Sequence, residues 1–530
     1  MPKVIGIGKQ RYDRIIENNL FYIDKTMFIK EWWENQDDVT LITRPRRFGK
    51  TLNMDMLKCF FSNEYKDRGD LFEGLDIWKE EKYREIQGTY PVIFLSFAKI
   101  KQNTYKDAIA GIKRIICDEI QKYIFLKDWD GLADAEKNNL KNITYGMDDV
   151  TAQEAIASLS NYLSRYYGKN VIILLDEYDT PMQEAYVNGY WEELVSFTRS
   201  FFNATFKSNL YLERAVITGI TRVSKESIFS DLNNLKVITV ESDEYSDTFG
   251  FSEEEVFLAL DDFNLSDKKQ IVKEWYDGFT FGSQKDIYNP WSIINFLENK
   301  KIDTYWADTS SNSLINHLIK KSVPEIKELM ELLLKRESIE VTFDDQIVFN
   351  QLDKSKNAIW SLLVASGYLK IDDIEYKGLL LKPWYHISIT NLETVSMFAN
   401  MFAGWFENPD ARYNDFIKSL LNNDLKGMNY YMNKVALATF SYFDTGKNPS
   451  ETLEPERFYH GFVLGLIVEL SDRYEVKSNR ESGFGRYDVM IIPLNKSEKA
   501  IVLEFKVHEN DEEKTLEETV SSALAQIEEK

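Results

Sequence analysis

The 530-residue sequence is poor in the residues that cross-link a chain, bind soft metals or enter a membrane. Only two cysteines occur, Cys59 and Cys117, so neither a disulfide framework nor a cysteine zinc site can be built. Four scattered histidines point the same way. No apolar run approaches the roughly 18 residues that span a bilayer, and the opening MPKVIGIGKQRYDRII lacks the apolar centre of a signal peptide. The cytosol, with no membrane partner, is the expected setting. Basic residues are short as well: 64 Lys and Arg against 86 Asp and Glu leave a net charge of -22, which repels a polyanion over most of the surface. Any contact with nucleic acid must use a local basic patch. The chain is too long for one ordinary core, so several domains of about 100 to 200 residues are expected.

What is present includes a phosphate-loop pattern with one departure. In LITRPRRFGKTLNM, Leu41 to Met54, the residues Gly49, Lys50 and Thr51 match G-x-x-x-x-G-K-[ST], while Arg44 stands at the first glycine. The β-branched, apolar stretch from Asp38 to Arg44 predicts a short buried strand entering the loop, and KTLNMDMLKCFF has helical spacing leaving it. Such a loop aims backbone N–H groups and the positive end of a helix at phosphate; it needs a lysine for the terminal phosphates and a hydroxyl for magnesium. Lys50 and Thr51 supply these. Gly49 lets the backbone approach and Pro45 stiffens the turn. Arg44, Arg46 and Arg47 add charge that can face phosphate, and Phe48 and Leu52 complete the candidate nucleotide-binding stretch. The bland alternative is a basic turn followed by a helix cap.

NVIILLDEYDTP supplies the other half of such a site. Five apolar residues, Val171 to Leu175, run into Asp176 and Glu177, as in a central parallel strand ending at its ligand edge. In this Walker B pattern Asp176 holds magnesium through water and Glu177 orients or deprotonates the attacking water. A buried strand capped by an acidic turn is the alternative. YPVIFLSF, ERAVITGI and LKVITV are further apolar runs of strand length with room for crossover helices, so a sheet of five parallel strands is predicted. One strand falls between the loop strand and the acidic strand, the arrangement of the NTPase division with an extra catalytic glutamate. Thr218 stands at a strand end with Arg222 just beyond, where the terminal phosphate can be sensed; a cap and a surface arginine account for them equally well.

FYIDKTMFI, RPRRFGKTL, LLDEYDTP, TGITRVSKESIF and WYDGFTFG…YNPWSIINFL together resemble the bacterial AAA-ATPase-like family, whose members commonly carry a C-terminal PD-(D/E)XK nuclease-superfamily domain. The resemblance covers nearly the whole chain. It implies ATP as ligand, with Lys50, Thr51, Asp176 and Glu177 carried over position by position, and an arginine at position 44 as the family's usual form.

Beyond about residue 250 the pattern turns helical. SEEEVFLALDDF starts with a capping serine and glutamate, and KKQIVKEWYDGF and NPWSIINFLENK follow as amphipathic helices, together a helical lid. The aromatic residues Trp275, Tyr276, Phe279, Tyr288 and Trp291 can stack on a base, but at helical spacing core is the better expectation. IWSLLVASGYLKI and LKPWYHISI predict a helix and a two-stranded wing. No basic run marks that helix, so a structural linker is the expectation.

A second constellation lies near the end. SGFGRYDVMIIPL places Asp488 on a strand after a glycine turn, and KAIVLEFKV places Glu504 and Lys506 on one face of the next. In this D-x15-E-x-K arrangement Asp488 and Glu504 can share one divalent cation, magnesium or manganese, and Lys506 can polarise water or stabilise charge at phosphorus. The flanking helical stretches ERFYHGFVLGLIVEL and TVSSALAQIEEK give the α-β-β-α order of the nuclease core. An exposed salt-bridged strand pair is the alternative. Two departures restrain the nuclease reading: the family's last helix continues into further strands whereas this sequence ends at Lys530 soon after Gln526, so either a tail has been removed or the fold closes differently, and residues 508–530 carry eight acids against two lysines, which repel DNA nearby. A basic groove would need Lys477, Arg480, Arg486, Lys496 and Lys499, or a second copy of the chain in a homo-oligomer.

The expected architecture is α/β: a P-loop NTPase domain over 1–245, a helical lid and winged-helix-like region over 246–400, and a restriction-endonuclease-like α/β domain with a helical lead-in over 401–530. Two functions fit it. One is an ATP-hydrolysing enzyme coupled to a metal-dependent nuclease. The other is a signalling ATPase switch whose C-terminal domain only binds a partner. The triad Asp488, Glu504 and Lys506 favours the first and the net acidity the second.

Overall fold

The computed structural model describes residues 2–222, 228–229, 232–307, 315, 318–319, 324–334, 336–343, 357–404, 413–431, 463, 467, 470, 473–478, 481–482, 485–486, 489–496, 498–504 and 515–529. Two compact units emerge: Met1–Leu318 with Glu340–Thr394, and Ile319–Ile339 with Val395–Lys530. Most of the stretches expected as ATPase core and as lid and wing thus fall in the first unit.

The first unit is built on a five-stranded sheet of β1 (Val39–Thr43), β2 (Val92–Ser96), β3 (Val171–Asp176), β4 (Leu212–Gly219) and β5 (Leu235–Ile238), in the order β2-β3-β4-β1-β5. Every neighbouring pair is parallel. All five expected runs form strands. β1 and β3 are buried along their whole lengths, as strands covered on both faces must be. Each buried Val, Ile or Leu contributes about 1.5–3 kcal/mol, which offsets the cost of ending β3 on a buried acid.

Parallel pairing brings the strand ends to one edge. Ser96 pairs with Asp176, Leu175 with Ile217, and Thr43 with Gly219. β4 lies between β1 and β3, so the loop strand and the acidic strand are separated by the strand that carries Thr218. That edge is where α/β sheets bind ligands. Helix α1 (Lys50–Phe61) leaves the loop directly, with Gly49 at φ 80 before it. α2 (Tyr105–Gln121) and α3 (Asp149–Tyr167) fill the chain between β2 and β3, and each is capped by a side chain, Thr104 or Asp148. α4 (Thr180–Asn188) follows the acidic strand.

The lid region departs from the helical expectation. Its helices α5 (Glu253–Asp262), α6 (Lys269–Tyr276) and α7 (Pro290–Asn299) are joined by a small antiparallel sheet of β6 (Phe251–Ser252), β7 (Phe279–Phe281) and β8 (Gln284–Tyr288). Strands of two to five residues are too short to display a period of two. The predicted capping box forms, with Ser252 and Glu255 satisfying each other's backbone. Tyr276 and Tyr288 belong to the apolar core with Val256, Leu260, Ile293 and Phe296. Helix α8 (Ala358–Ala365) precedes the hairpin β9 (Leu369–Lys377) and β10 (Lys382–Ile389), the helix and wing predicted for this stretch.

In the second unit β11 (Tyr474–Ser478), β12 (Val489–Pro493) and β13 (Ile501–Leu503) form an antiparallel sheet in that order, with α9 (Leu516–Glu529) after it. Tyr474, Val489 and Ile491 share an apolar cluster with Phe416, Leu420 and Ile467. The helix expected over 456–470 lies mostly outside the described residues. Among the described residues no helix is long and apolar enough to cross a membrane.

Candidate functional site

The sheet edge gathers the predicted loop and acid residues around one carboxylate. Asp176, wholly buried, accepts from Thr51 Oγ1 at 2.8 Å and from Ser96 Oγ at 3.4 Å on Oδ2, and from Thr218 Oγ1 at 2.7 Å on Oδ1. Burial pushes its pKa up; the Thr218 bond opposes that rise and the charge of Glu177 adds to it. Thr51, Ser96 and Asp176 form a set of hard oxygen donors suited to magnesium. Glu177 follows at φ 52, a left-handed conformation unusual for a side chain of this size. Its Oε2 accepts from Thr180 Oγ1 at 3.1 Å.

Lys50 turns back on its own loop. Nζ donates to the carbonyl oxygens of Arg44 at 2.8 Å and Pro45 at 2.7 Å. Burial lowers its pKa, while the charges of Glu177, Asp179 and Asp176 act to raise it.

Arg44 does not present its charge to the mouth of the loop. The side chain is fully buried, and the guanidinium donates to the carbonyl oxygens of Thr43 at 2.9 Å and Thr239 at 2.7 Å, with longer bonds to Glu244 at 3.4 Å and Tyr245 at 3.3 Å. It also stacks over Phe281 at 4.6 Å. Burial pushes its pKa down to about 9, so it stays charged at neutral pH. The expectation that this arginine faces phosphate is not met: the geometry is that of a brace between the end of β1 and the segment after β5.

Arg46 reaches Gln183 Oε1 at 3.4 Å. Arg47, exposed and at φ 66, stacks over Trp291 of α7 at 4.3 Å. Trp291 is therefore not a core residue like Tyr276 and Tyr288. Phe48 is buried between Phe279 at 4.8 Å and Phe281 at 5.4 Å. Asn289, which caps α7, also donates to the Arg46 carbonyl at 3.2 Å. Loop and lid are thus joined at Arg46, Arg47 and Phe48, three adjacent positions. Leu52 and Gly49 lie at the start of α1, and Arg222 lies three residues beyond β4.

Residues 6–229 match the family model described as predicted AAA-ATPase, and residues 454–530 match that of the PD-(D/E)XK nuclease superfamily. The chain joins an AAA-ATPase-like domain to a PD-(D/E)XK nuclease-superfamily domain. The match to the AAA-ATPase-like domain spans Arg44 to Arg222, and the match to the nuclease-superfamily domain spans Asp488, Glu504 and Lys506. A protein of Azotobacter chroococcum mcd 1, described as an uncharacterized protein in the vnfD 5' region, is 24% identical over 92% of this chain and 87% of its own length. Among solved structures, a Signal Transduction ATPase with Numerous Domains carrying a tetratricopeptide repeat sensor, from Pyrococcus horikoshii, is 12% identical with a TM-score of 0.24. The match covers 89% of this chain and only about half, 54%, of the other.

In the nuclease-superfamily domain Glu504 is half-buried and directly follows β13, whose last residue, Leu503, pairs with Val489 at the start of β12. Asp488 and Lys506 lie outside the described residues. β11 adds a third strand to the predicted hairpin and carries Lys477, whose Nζ is 3.1 Å from Glu475.

Sequence reading missed Asp179 and Glu393. Glu393 is buried and accepts from Ser292 Oγ at 2.7 Å and from the backbone of Tyr305 and Trp306 at 2.6 Å each. It anchors the turn after α7, and nothing local in the sequence marks it. Asp179 had a signal: it is the third acid in DEYD, beside the two residues already chosen.

Proposed function

We propose that the loop from Arg44 to Leu52 binds ATP, that the site hydrolyses it, and that turnover is coupled to a metal-dependent nuclease activity on nucleic acid. The observation that carries the first part is the Asp176 carboxylate bonded to Thr51 from the loop helix and to Thr218 from the neighbouring strand. On binding, Lys50 exchanges the Arg44 and Pro45 carbonyls for the β- and γ-phosphates, and loop N–H groups take the remaining phosphate oxygens. Thr51 and Asp176 would hold magnesium, which supplies charge neutralisation at the phosphates when bound. Glu177 accepts a hydrogen bond from the attacking water and orients it. Thr218, near the end of β4, and Arg222, three residues beyond it, would sense the terminal phosphate.

In the second domain Asp488 and Glu504 would hold magnesium or manganese, and Lys506 would stabilise charge at the phosphorus. A cleavage assay with either metal, with and without ATP, on a panel of DNA and RNA substrates tests the coupling. ATP-dependent cutting supports it; no cutting under any condition contradicts it. The net charge of -22 favours a second reading, a signalling ATPase whose C-terminal domain binds a partner without cutting.

A further inference from the structure

Asp179 has no role in the mechanism above, yet its contacts reach three parts of the site. It is wholly buried, and its Oδ2 takes four donors: Ile220 N at 3.0 Å, Thr221 N at 2.8 Å, Thr221 Oγ1 at 2.7 Å and Gln183 Nε2 at 3.1 Å. Gln183, one turn along α4, is the residue that accepts from Arg46 of the loop. Tyr178 adds two more stitches, its N–H donating to the Thr218 carbonyl at 3.0 Å and its hydroxyl to the Thr221 carbonyl at 2.7 Å. Thr218, Ile220 and Thr221 are therefore each hydrogen-bonded to Asp176, Tyr178 or Asp179. Arg222 is the next residue.

The arrangement exceeds what a turn needs. A buried carboxylate is costly even when hydrogen-bonded, and here burial pushes the acid's pKa up while the donors hold it down. Oδ1 is buried without a hydrogen-bond partner among the described residues. The carboxylate sits where the acidic strand, the following strand and, through Gln183, the phosphate loop all converge.

We propose that Asp179 is a positioning residue for ATP turnover: by fixing the amides of Ile220 and Thr221 it sets where Arg222 stands relative to the terminal phosphate. The inference rests on the ATPase reading above. Asp179 acts through Arg222, so its loss lowers turnover more than affinity.

The test uses the full chain and compares wild type, Asp179→Asn, Arg222→Ala and the double variant for ATP turnover, with nucleotide affinity measured separately by titration. Glu177→Gln serves as the control for the site itself. Asp179→Asn keeps the shape but puts an amide where the carboxylate takes four donors on one oxygen, which weakens its hold on the Ile220 and Thr221 amides. The expected result is a fall in kcat of about tenfold or more in each single variant, with ATP affinity nearly unchanged. The double variant should be no slower than Arg222→Ala alone, because the two residues act as a unit. Multiplied effects in the double variant, or lost affinity at unchanged kcat, overturn the inference while leaving the ATPase reading standing. Turnover insensitive to Glu177→Gln overturns that reading, and the inference with it. If Asp179→Asn fails to fold, Thr221→Val removes only the hydroxyl donor. It should show a smaller kcat loss that again vanishes in the Arg222→Ala background, and a loss that persists there overturns the proposal.

Discussion

Arg44 occupies a position where phosphate loops carry glycine, and its surroundings explain how the fold accommodates it. The guanidinium satisfies carbonyls on a segment 195 to 201 residues further along the chain. No local reading could find those partners, because the segment from Thr239 to Tyr245 is brought beside β1 by the β1–β5 pairing. Restoring glycine would leave buried carbonyls unpaired and a cavity beside Phe281. Arg44→Gly should therefore cost about 3 kcal/mol or more, read as a lower urea midpoint, with nucleotide affinity falling as the loop loses its brace. Unchanged stability with tighter ATP binding would contradict the bracing role. A second residue-scale effect concerns Asp277, whose pKa is pushed up to about 7, first by burial and then by its hydrogen bond with Asp286. An acid raised in the folded state contributes stability that is full below its unfolded pKa and is lost as pH rises through about 7. Asp286→Asn removes the like-charge partner. Its melting temperature should exceed that of wild type by more at pH 8 than at pH 5, and an equal difference at both pH values would argue against the pair.

At the scale of elements, strands covered on both faces were legible because their sequences are continuous apolar runs ending in marked residues, as VIILLD does. Helix starts were legible where caps are local, at Ser252 and Asn289. The short strands β6 and β7 were not, since they are defined by pairing with β8 and not by their own pattern. The junction of α6 and β7 illustrates a constraint the sequence hides. Gly278 has φ +123, and a Cβ there would stand 2.1 Å from the Thr390 carbonyl oxygen at the end of the wing hairpin. Both the backbone conformation and the space exclude a side chain. Gly278→Ala should cost more than about 4 kcal/mol and leave a lid that melts before the sheet, visible as a biphasic unfolding curve. A single transition at the wild-type midpoint would show that the backbone relaxes freely there.

At the scale of the whole molecule, two domains of enzyme families share one acidic chain. The AAA-ATPase-like domain was readable because its marked residues cluster in three short stretches, Arg44–Leu52, Asp176–Glu177 and Thr218–Arg222. The nuclease half was less so, because E-x-K strings are common and the acid that gives this one meaning lies sixteen residues earlier, at Asp488. If the two sites are chemically separate, Asp488→Ala, Glu504→Ala and Lys506→Ala should each abolish cleavage and leave ATP hydrolysis at the wild-type rate. Calorimetric titration with manganese divides them further: the two acid variants should lose metal binding and the lysine variant should keep it. Equal metal affinity in wild type and Asp488→Ala, with no cleavage by either, would instead mark the domain as a binding module.

The claim on which the rest depends is that Glu177 serves hydrolysis while the Lys50 loop serves binding. It is tested most directly by following bound ATP in Glu177→Gln under single-turnover conditions. The account predicts wild-type affinity with hydrolysis slowed by about a hundredfold or more, so that ATP stays trapped. Hydrolysis at the wild-type rate would contradict it and move the chemistry to another residue.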